Sequence, residues 1–90
     1  MTLEQIATEV SEILVSLGDE LPEFDRSNVA RFIKYNEHEL ALDTLCAQLC
    51  ERGVVPTSTV RQRLMDLVAE MGMDVALYQR IVPQPKPESC

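Results

Sequence analysis

Hydrophobic residues recur every three to four positions through most of this 90-residue chain, which is the spacing of helices that bury one face. In the first such segment, Thr2 and Gln5 have the spacing of a capping box, and Gly18 follows the last apolar residue as a terminator. The pattern therefore predicts an amphipathic helix with the inner face Leu3, Ile6, Ala7, Val10, Ile13, Leu14 and Leu17.

A short second helix is predicted after an acidic turn, GDELPEFDR, at residues 18–26. Asp25 or Ser27 carries a side-chain oxygen suited to cap it. Asn36 tolerates left-handed backbone and is expected to terminate it. Its predicted inner face consists of Val29, Phe32 and Ile33.

Two longer helices follow with the same periodicity. The third is predicted over residues 37–52, before Gly53, with the buried stripe Leu42, Leu45, Cys46 and Leu49. The fourth is predicted to be capped by Thr57 or Ser58 and closed by Gly72. Its inner stripe is Val60, Leu64, Leu67, Val68 and Met71.

A last short apolar segment, capped by Asp74, is predicted over Val75 to Ile81. No segment has the alternating pattern of a strand. The fold class predicted is therefore all-α, a compact bundle of four to five short antiparallel helices. Residues 1–82 form this single domain, and residues 83–90, with Pro at alternate positions from 83 to 87, are predicted to be a disordered tail.

The charge balance narrows the classes of partner. Fifteen acidic residues against eight basic ones give a net charge of −7, which disfavours nucleic acid and anionic membranes and favours a basic protein. The start of the chain lacks the features of a signal peptide, and no run of 18 apolar residues occurs. An odd number of cysteines, three, does not suggest a disulfide framework. We expect a cytoplasmic protein.

No pattern of catalytic or metal-binding residues is evident. His38 and Cys46 are about 12 Å apart along a helix axis, too far to share a metal ion. Cys46 and Cys50 are expected to be buried free thiols, and His38 a solvated surface residue. No nucleotide-binding glycine motif is present. We therefore predict no enzymatic activity, no cofactor and no metal.

Acidic residues near the second helix offer a candidate binding surface. If that helix folds back on the third, the acids of the turn and those at the start of the third helix border one face, with Tyr35 between them as an aromatic anchor. The alternative interpretation of the cluster is an ordinary solvated surface. The predicted protein-binding residues are Asp19, Glu20, Glu23, Asp25, Tyr35, Glu37, Glu39 and Asp43.

The segment FIKYNEHELALDTLCAQL, residues 32–49, followed by the step Met71-Gly72-Met73, resembles the core of MafI-type bacterial immunity proteins. The resemblance extends over most of residues 1–82 and implies a protein that binds the C-terminal domain of a cognate polymorphic toxin. Many such toxins are nucleases with basic active sites, so the resemblance implies inhibition by occlusion through an acidic surface. It transfers no binding residues, because these surfaces vary with the toxin.

Two other functions remain as alternatives. The third and fourth helices, with Arg61 and Arg63 on the latter, have the arrangement of a helix-turn-helix transcriptional regulator, although the charge opposes DNA binding. A helical adaptor module without a toxin is the other alternative.

Overall fold

Residues 1–84 are described by a computed structural model, which contains five α-helices joined by short connections. The predicted tail therefore lies outside the described residues from position 85 onward. A 3-10 turn, Gly18–Glu20, links the first two helices. The helices are α1 Leu3–Leu17, α2 Glu23–Lys34, α3 His38–Arg52, α4 Ser58–Glu70 and α5 Val75–Ile81.

Local capping chemistry sets most helix boundaries as predicted. The Thr2 hydroxyl accepts from the backbone N–H of Gln5, and the Gln5 side chain accepts from the N–H of Thr2, which completes the capping box of α1. Thr57 and Asp74 cap α4 and α5 through hydrogen bonds of the same kind. Asn36, with φ of 60°, adopts the left-handed backbone expected of it after α2.

The start of α2 differs from the prediction. The helix begins at Glu23, and the preceding residue Pro22 takes the cap position. Its carbonyl accepts from the backbone N–H groups of Asp25 and Arg26 at 3.0 and 3.1 Å. Proline is well suited here because its fixed φ leads into the helix and it has no N–H to leave unpaired. Asp25 therefore lies in the first turn and leaves its side chain free for another role.

Helices α1 to α4 alternate in direction, so that those consecutive in the chain run antiparallel. Asp25, near the start of α2, contacts Arg52 at the end of α3, so these two helices form a hairpin with the most extensive contact in the molecule. At the other end of the bundle Leu3 of α1, His38 of α3 and Met71 after α4 meet around one groove. The starts of α1 and α3 and the ends of α2 and α4 therefore share one end of the bundle.

The core is built largely from the predicted stripes, but Leu3, which was assigned to the inner face of α1, is exposed, and Leu21, which was in no stripe, is buried. Each large aliphatic residue in it contributes about 1.5–3 kcal/mol by burial. The radius of gyration, 12.4 Å, matches the roughly 12 Å expected of a folded chain of this length. The all-α bundle is thus confirmed. The largest fully buried side chains include Val10, Ile13, Leu21, Val29, Leu42, Leu45, Leu49, Leu64, Leu67 and Val68.

Candidate functional site

The predicted acidic residues form two separate groups, which corrects the expectation of one continuous face. Asp19, Glu20 and Glu23 are exposed at the connection into α2, at the end of the bundle where α3 finishes. Glu37 and Glu39 are exposed where α3 begins. Since α3 has 15 residues, the two groups are about 20 Å apart along its axis.

Asp25 does not belong to the exposed surface, which corrects its assignment as a binding residue. Its side chain is buried against α3, with 2% of the residue exposed, and its Oδ2 accepts a hydrogen bond from Arg52 Nε at 3.0 Å. Asp25 precedes the buried Val29 by one helical turn and so lies on the same inward stripe of α2. Its carboxylate joins α2 to α3.

Asp43 is exposed but holds an internal contact. The hydroxyl of Tyr78 on α5 donates a hydrogen bond to Asp43 Oδ1 at 2.6 Å. This bond, together with burial of the tyrosine, raises the pKa of Tyr78 from 10.0 to about 12. Asp43 therefore fixes α5 to α3 with one oxygen, and its contribution to any external surface is reduced.

His38 is buried, with 4% of the residue exposed, and the expectation of a solvated histidine is wrong. The residue lies three and four positions before Ala41 and Leu42, which places it on the buried face of α3. Its Nδ1 atom is enclosed and has no hydrogen-bond partner. Leaving a buried polar atom unpaired costs about 1–3 kcal/mol, so its position invites a functional explanation.

An open groove of about 300 Å³ lies at the end of the bundle beside this histidine. Leu3 and Leu40 line it and are 54% and 48% exposed, although both belong to helices that bury their apolar faces elsewhere. Glu37 and Glu39 supply its charge. The complete lining is Leu3, Asn36, Glu37, His38, Glu39, Leu40 and Met71, which includes no lysine or arginine.

Tyr35 stands next to this groove along the chain. It is the C-cap residue of α2, immediately before the groove residue Asn36, and it is 66% exposed. An exposed aromatic ring at this position suits the anchor role predicted for it. We use the name "end surface" for Tyr35 together with the seven groove residues.

The two most exposed large apolar side chains of residues 1–84 were not predicted to lie on the surface. Val15 of α1 and Phe24 of α2 are 81% and 73% exposed. Val15 falls outside the apolar stripe of its helix, and Phe24 lies within the acidic turn sequence. An apolar residue outside the stripe, or within an acidic turn, is the sequence feature from which this exposure could have been predicted. Unlike Leu3 and Leu40, Val15 and Phe24 do not line the groove beside His38.

The arginines of α4 are engaged within the fold. Arg63 donates to Glu9 and to Glu12, the latter at 2.6 Å, and these hydrogen bonds raise its pKa. Arg61 donates to the backbone oxygen of Gln79 at 2.6 Å. Both side chains therefore join α4 to neighbouring elements.

The two helical cysteines differ from each other. Cys46 is buried as predicted, and burial raises the pKa of its thiol from 9.0 to about 12. Cys50 is exposed, which corrects the prediction, because it lies one residue past the buried Leu49 and turns away from the core. Within residues 1–84, no three His, Cys, Asp or Glu side chains are arranged to hold a metal ion.

No protein-family model, no curated protein and no solved structure matches this chain. Of the helices in residues 1–84, none has the length and apolar character needed to cross a membrane.

Proposed function

We propose that this chain is a binding protein that neutralises a cognate toxin domain by covering a basic part of its surface. The observation that carries the proposal is the end surface, where apolar side chains are exposed between carboxylates and no lysine or arginine lines the groove. Apolar contacts of this kind supply affinity at short range, whereas the carboxylates select a positively charged partner. The resemblance to MafI-type immunity proteins supports a toxin as that partner.

Inhibition in this proposal needs no chemistry by the chain itself. A nuclease domain must present a positive surface to hold phosphate, and a protein of net charge −7 is attracted to it before contact. Once docked, the bundle excludes the substrate from that surface or from its approach. Protection of a cell requires affinity near nanomolar, which corresponds to about 12 kcal/mol of binding free energy.

The engagement of the α4 arginines argues against a transcriptional regulator. A recognition helix needs free basic side chains to reach phosphates and base edges. Arg63 is instead held by two glutamates, and Arg61 is bonded to the backbone of α5. An adaptor function would use the same end surface, so only the identity of the partner separates it from immunity.

Co-expression with the C-terminal domain of the protein encoded by the upstream gene tests the proposal. We expect growth to be restored and the two proteins to purify together as a complex. Persistent killing with no complex would show that the chain is not the immunity protein of that toxin. Retention of the purified chain on duplex DNA at physiological salt would instead favour the regulator.

A further inference from the structure

Two properties of the end surface indicate what kind of group its groove can hold. Its groove is open and, at about 300 Å³, stands at the lower limit of sites that enclose small molecules. Its walls carry the apolar side chains of Leu3 and Leu40 within reach of solvent. A groove of this size and openness suits a side chain presented by another protein better than a free metabolite.

Charge complementarity indicates the chemistry of that protein. Glu37 and Glu39 flank the apolar wall, and the groove is lined by no base that would neutralise them. Lys34, the last residue of α2, is nearby in the chain but does not line the groove. An incoming apolar side chain is therefore favoured when lysines or arginines lie beside it.

His38 is a further unusual residue at the same place. Its side chain lines the groove, is more than nine-tenths buried, and keeps Nδ1 without a partner. An apolar residue at this position would avoid the cost of the unpaired nitrogen. Natural proteins carry such costs mainly where a site needs them.

We infer that the groove receives an apolar side chain, a leucine or a larger one, from a helix or loop of the partner that carries lysine or arginine on both sides of it. In the bound state the apolar side chain packs against Leu3 and Leu40, and the flanking bases pair with Glu37 and Glu39. The imidazole of His38 lies in the wall, with its Nδ1 atom enclosed. This inference deepens the proposed function and rests on the end surface being its binding site.

A synthetic amphipathic peptide, with a row of leucines flanked by lysines, tests the groove without knowledge of the toxin. The peptide is titrated into the ¹⁵N-labelled chain, and amide shifts are followed by NMR. We expect the largest shifts at Leu3, at residues 36–40 and at Met71. Shifts confined to other parts of the bundle, or no shift at the groove, would overturn the inference.

Two control peptides separate apolar insertion from simple charge attraction. One keeps the lysines and replaces the leucines by serine, and the other keeps the leucines and replaces the lysines by glutamate. Both are expected to bind at least about tenfold more weakly than the first peptide. Equal binding by the serine peptide would show that only charge acts there and would contradict the inference.

Matched variants of the chain complete the test. Leu40→Ser is expected to weaken binding of the first peptide about tenfold, whereas Leu77→Ser is expected to leave it within about twofold. Both leucines are partly exposed on helix surfaces, but Leu77 lies on α5 and does not line the groove. Equal affinities for the two variants would contradict the inference.

Two separate measurements test the proposed function and the occupant of the groove. Growth rescue by co-expression decides whether the chain neutralises the toxin, and the peptide titration decides what the groove accepts. Rescue together with an unoccupied groove would place the toxin on another surface. Peptide binding at the groove without rescue would retain the groove as a binding site and remove the immunity role.

Discussion

Arg52 donates a hydrogen bond from Nε to the buried carboxylate of Asp25 at 3.0 Å, and so joins the end of α3 to the beginning of α2. The arginine remains partly exposed, so water moderates the strength of the pair. The carboxylate, however, has lost most of its contact with solvent. The pair matters chiefly because Asp25 would otherwise be buried without a charged partner.

Arg52→Met is therefore expected to lower the free energy of unfolding by about 1–3 kcal/mol, because it leaves the Asp25 carboxylate without its donor. Urea denaturation followed by circular dichroism measures the change. Arg31→Met is the matched control, since the exposed Arg31 side chain bonds only to Asn28, and it is expected to alter stability by less than about 0.5 kcal/mol. Equal changes in the free energy of unfolding would show that the buried pair contributes no more to stability than the exposed one.

Tyr78→Phe is expected to cost about 1 kcal/mol at neutral pH through loss of the bond to Asp43. The raised pKa of Tyr78 also determines how the free energy of unfolding changes at alkaline pH. The folded pKa of about 12 exceeds the ordinary value of 10.0, so the stabilisation is complete below pH 10 and is lost as pH rises toward 12.

Stability curves between pH 8 and pH 12 check this expectation. Between about pH 10 and 12, the free energy of unfolding should fall less steeply in Tyr78→Phe than in the parent chain. Some decline should remain, because the pKa of Cys46 is also raised by folding. Tyr35→Phe is the control, because that ring is exposed, and its curve should follow the parent. An unchanged slope in Tyr78→Phe would contradict the assignment.

His38→Leu is expected to maintain or raise stability, by up to about 1 kcal/mol, because it removes a buried nitrogen that has no partner. The midpoint of urea unfolding reports the change. A loss of more than about 1 kcal/mol would mean that the imidazole makes a stabilising contact through its other nitrogen. His38→Gln, which keeps a polar side chain at the site, is expected to be less stable than His38→Leu.

Alkylation should distinguish the two helical cysteines. With the third cysteine of the sequence, Cys90, replaced by serine, iodoacetamide at pH 8 is expected to modify the exposed Cys50 and to spare Cys46. A thiol with a pKa of about 12 has roughly a thousandfold less thiolate than an ordinary thiol with a pKa of 9.0. Peptide mass spectrometry measures the two rates. Similar rates would indicate that α3 opens readily or that Cys46 is less enclosed.

Neutralising the two acidic groups separately should identify the one that guides the partner. Glu37→Gln with Glu39→Gln is expected to slow association with the proposed toxin partner several-fold and to reduce its salt dependence. Glu20→Gln with Glu23→Gln removes the same charge about 20 Å away and is expected to have the smaller effect. Stopped-flow association at two salt concentrations measures both. The opposite ranking would place the binding surface at the other end.

Periodicity predicted the helices well because each inner stripe is a local property of the sequence. The spacing of apolar residues fixed α3 and α4, and the caps Thr2, Thr57 and Asp74 were recognisable from their side chains. The wrong predictions of exposure concerned polar residues that lie on the buried face of their helix. Asp25 lies one turn before Val29, and His38 one turn before Leu42, so helical phase alone marked both as inward.

The arrangement of the site was beyond such reasoning because it depends on how helix ends meet. Leu3 was assigned to the inner face of α1 by its spacing, yet α1 extends past the core there and leaves it exposed. The groove requires α1, α3 and the end of α4 to converge, which no local pattern specifies. The exposed acids were identified correctly by charge, but their separation follows from the antiparallel pairing of α2 and α3.

The groove is assembled from helix termini, whereas the fold is held together by the middles of the same helices. This division separates the residues that we propose contact a partner from those that keep the protein folded. Most positions around the groove are exposed and tolerate exchange at little energetic cost. Substitutions around the groove can therefore alter its shape and charge while the helical scaffold that carries it is unchanged.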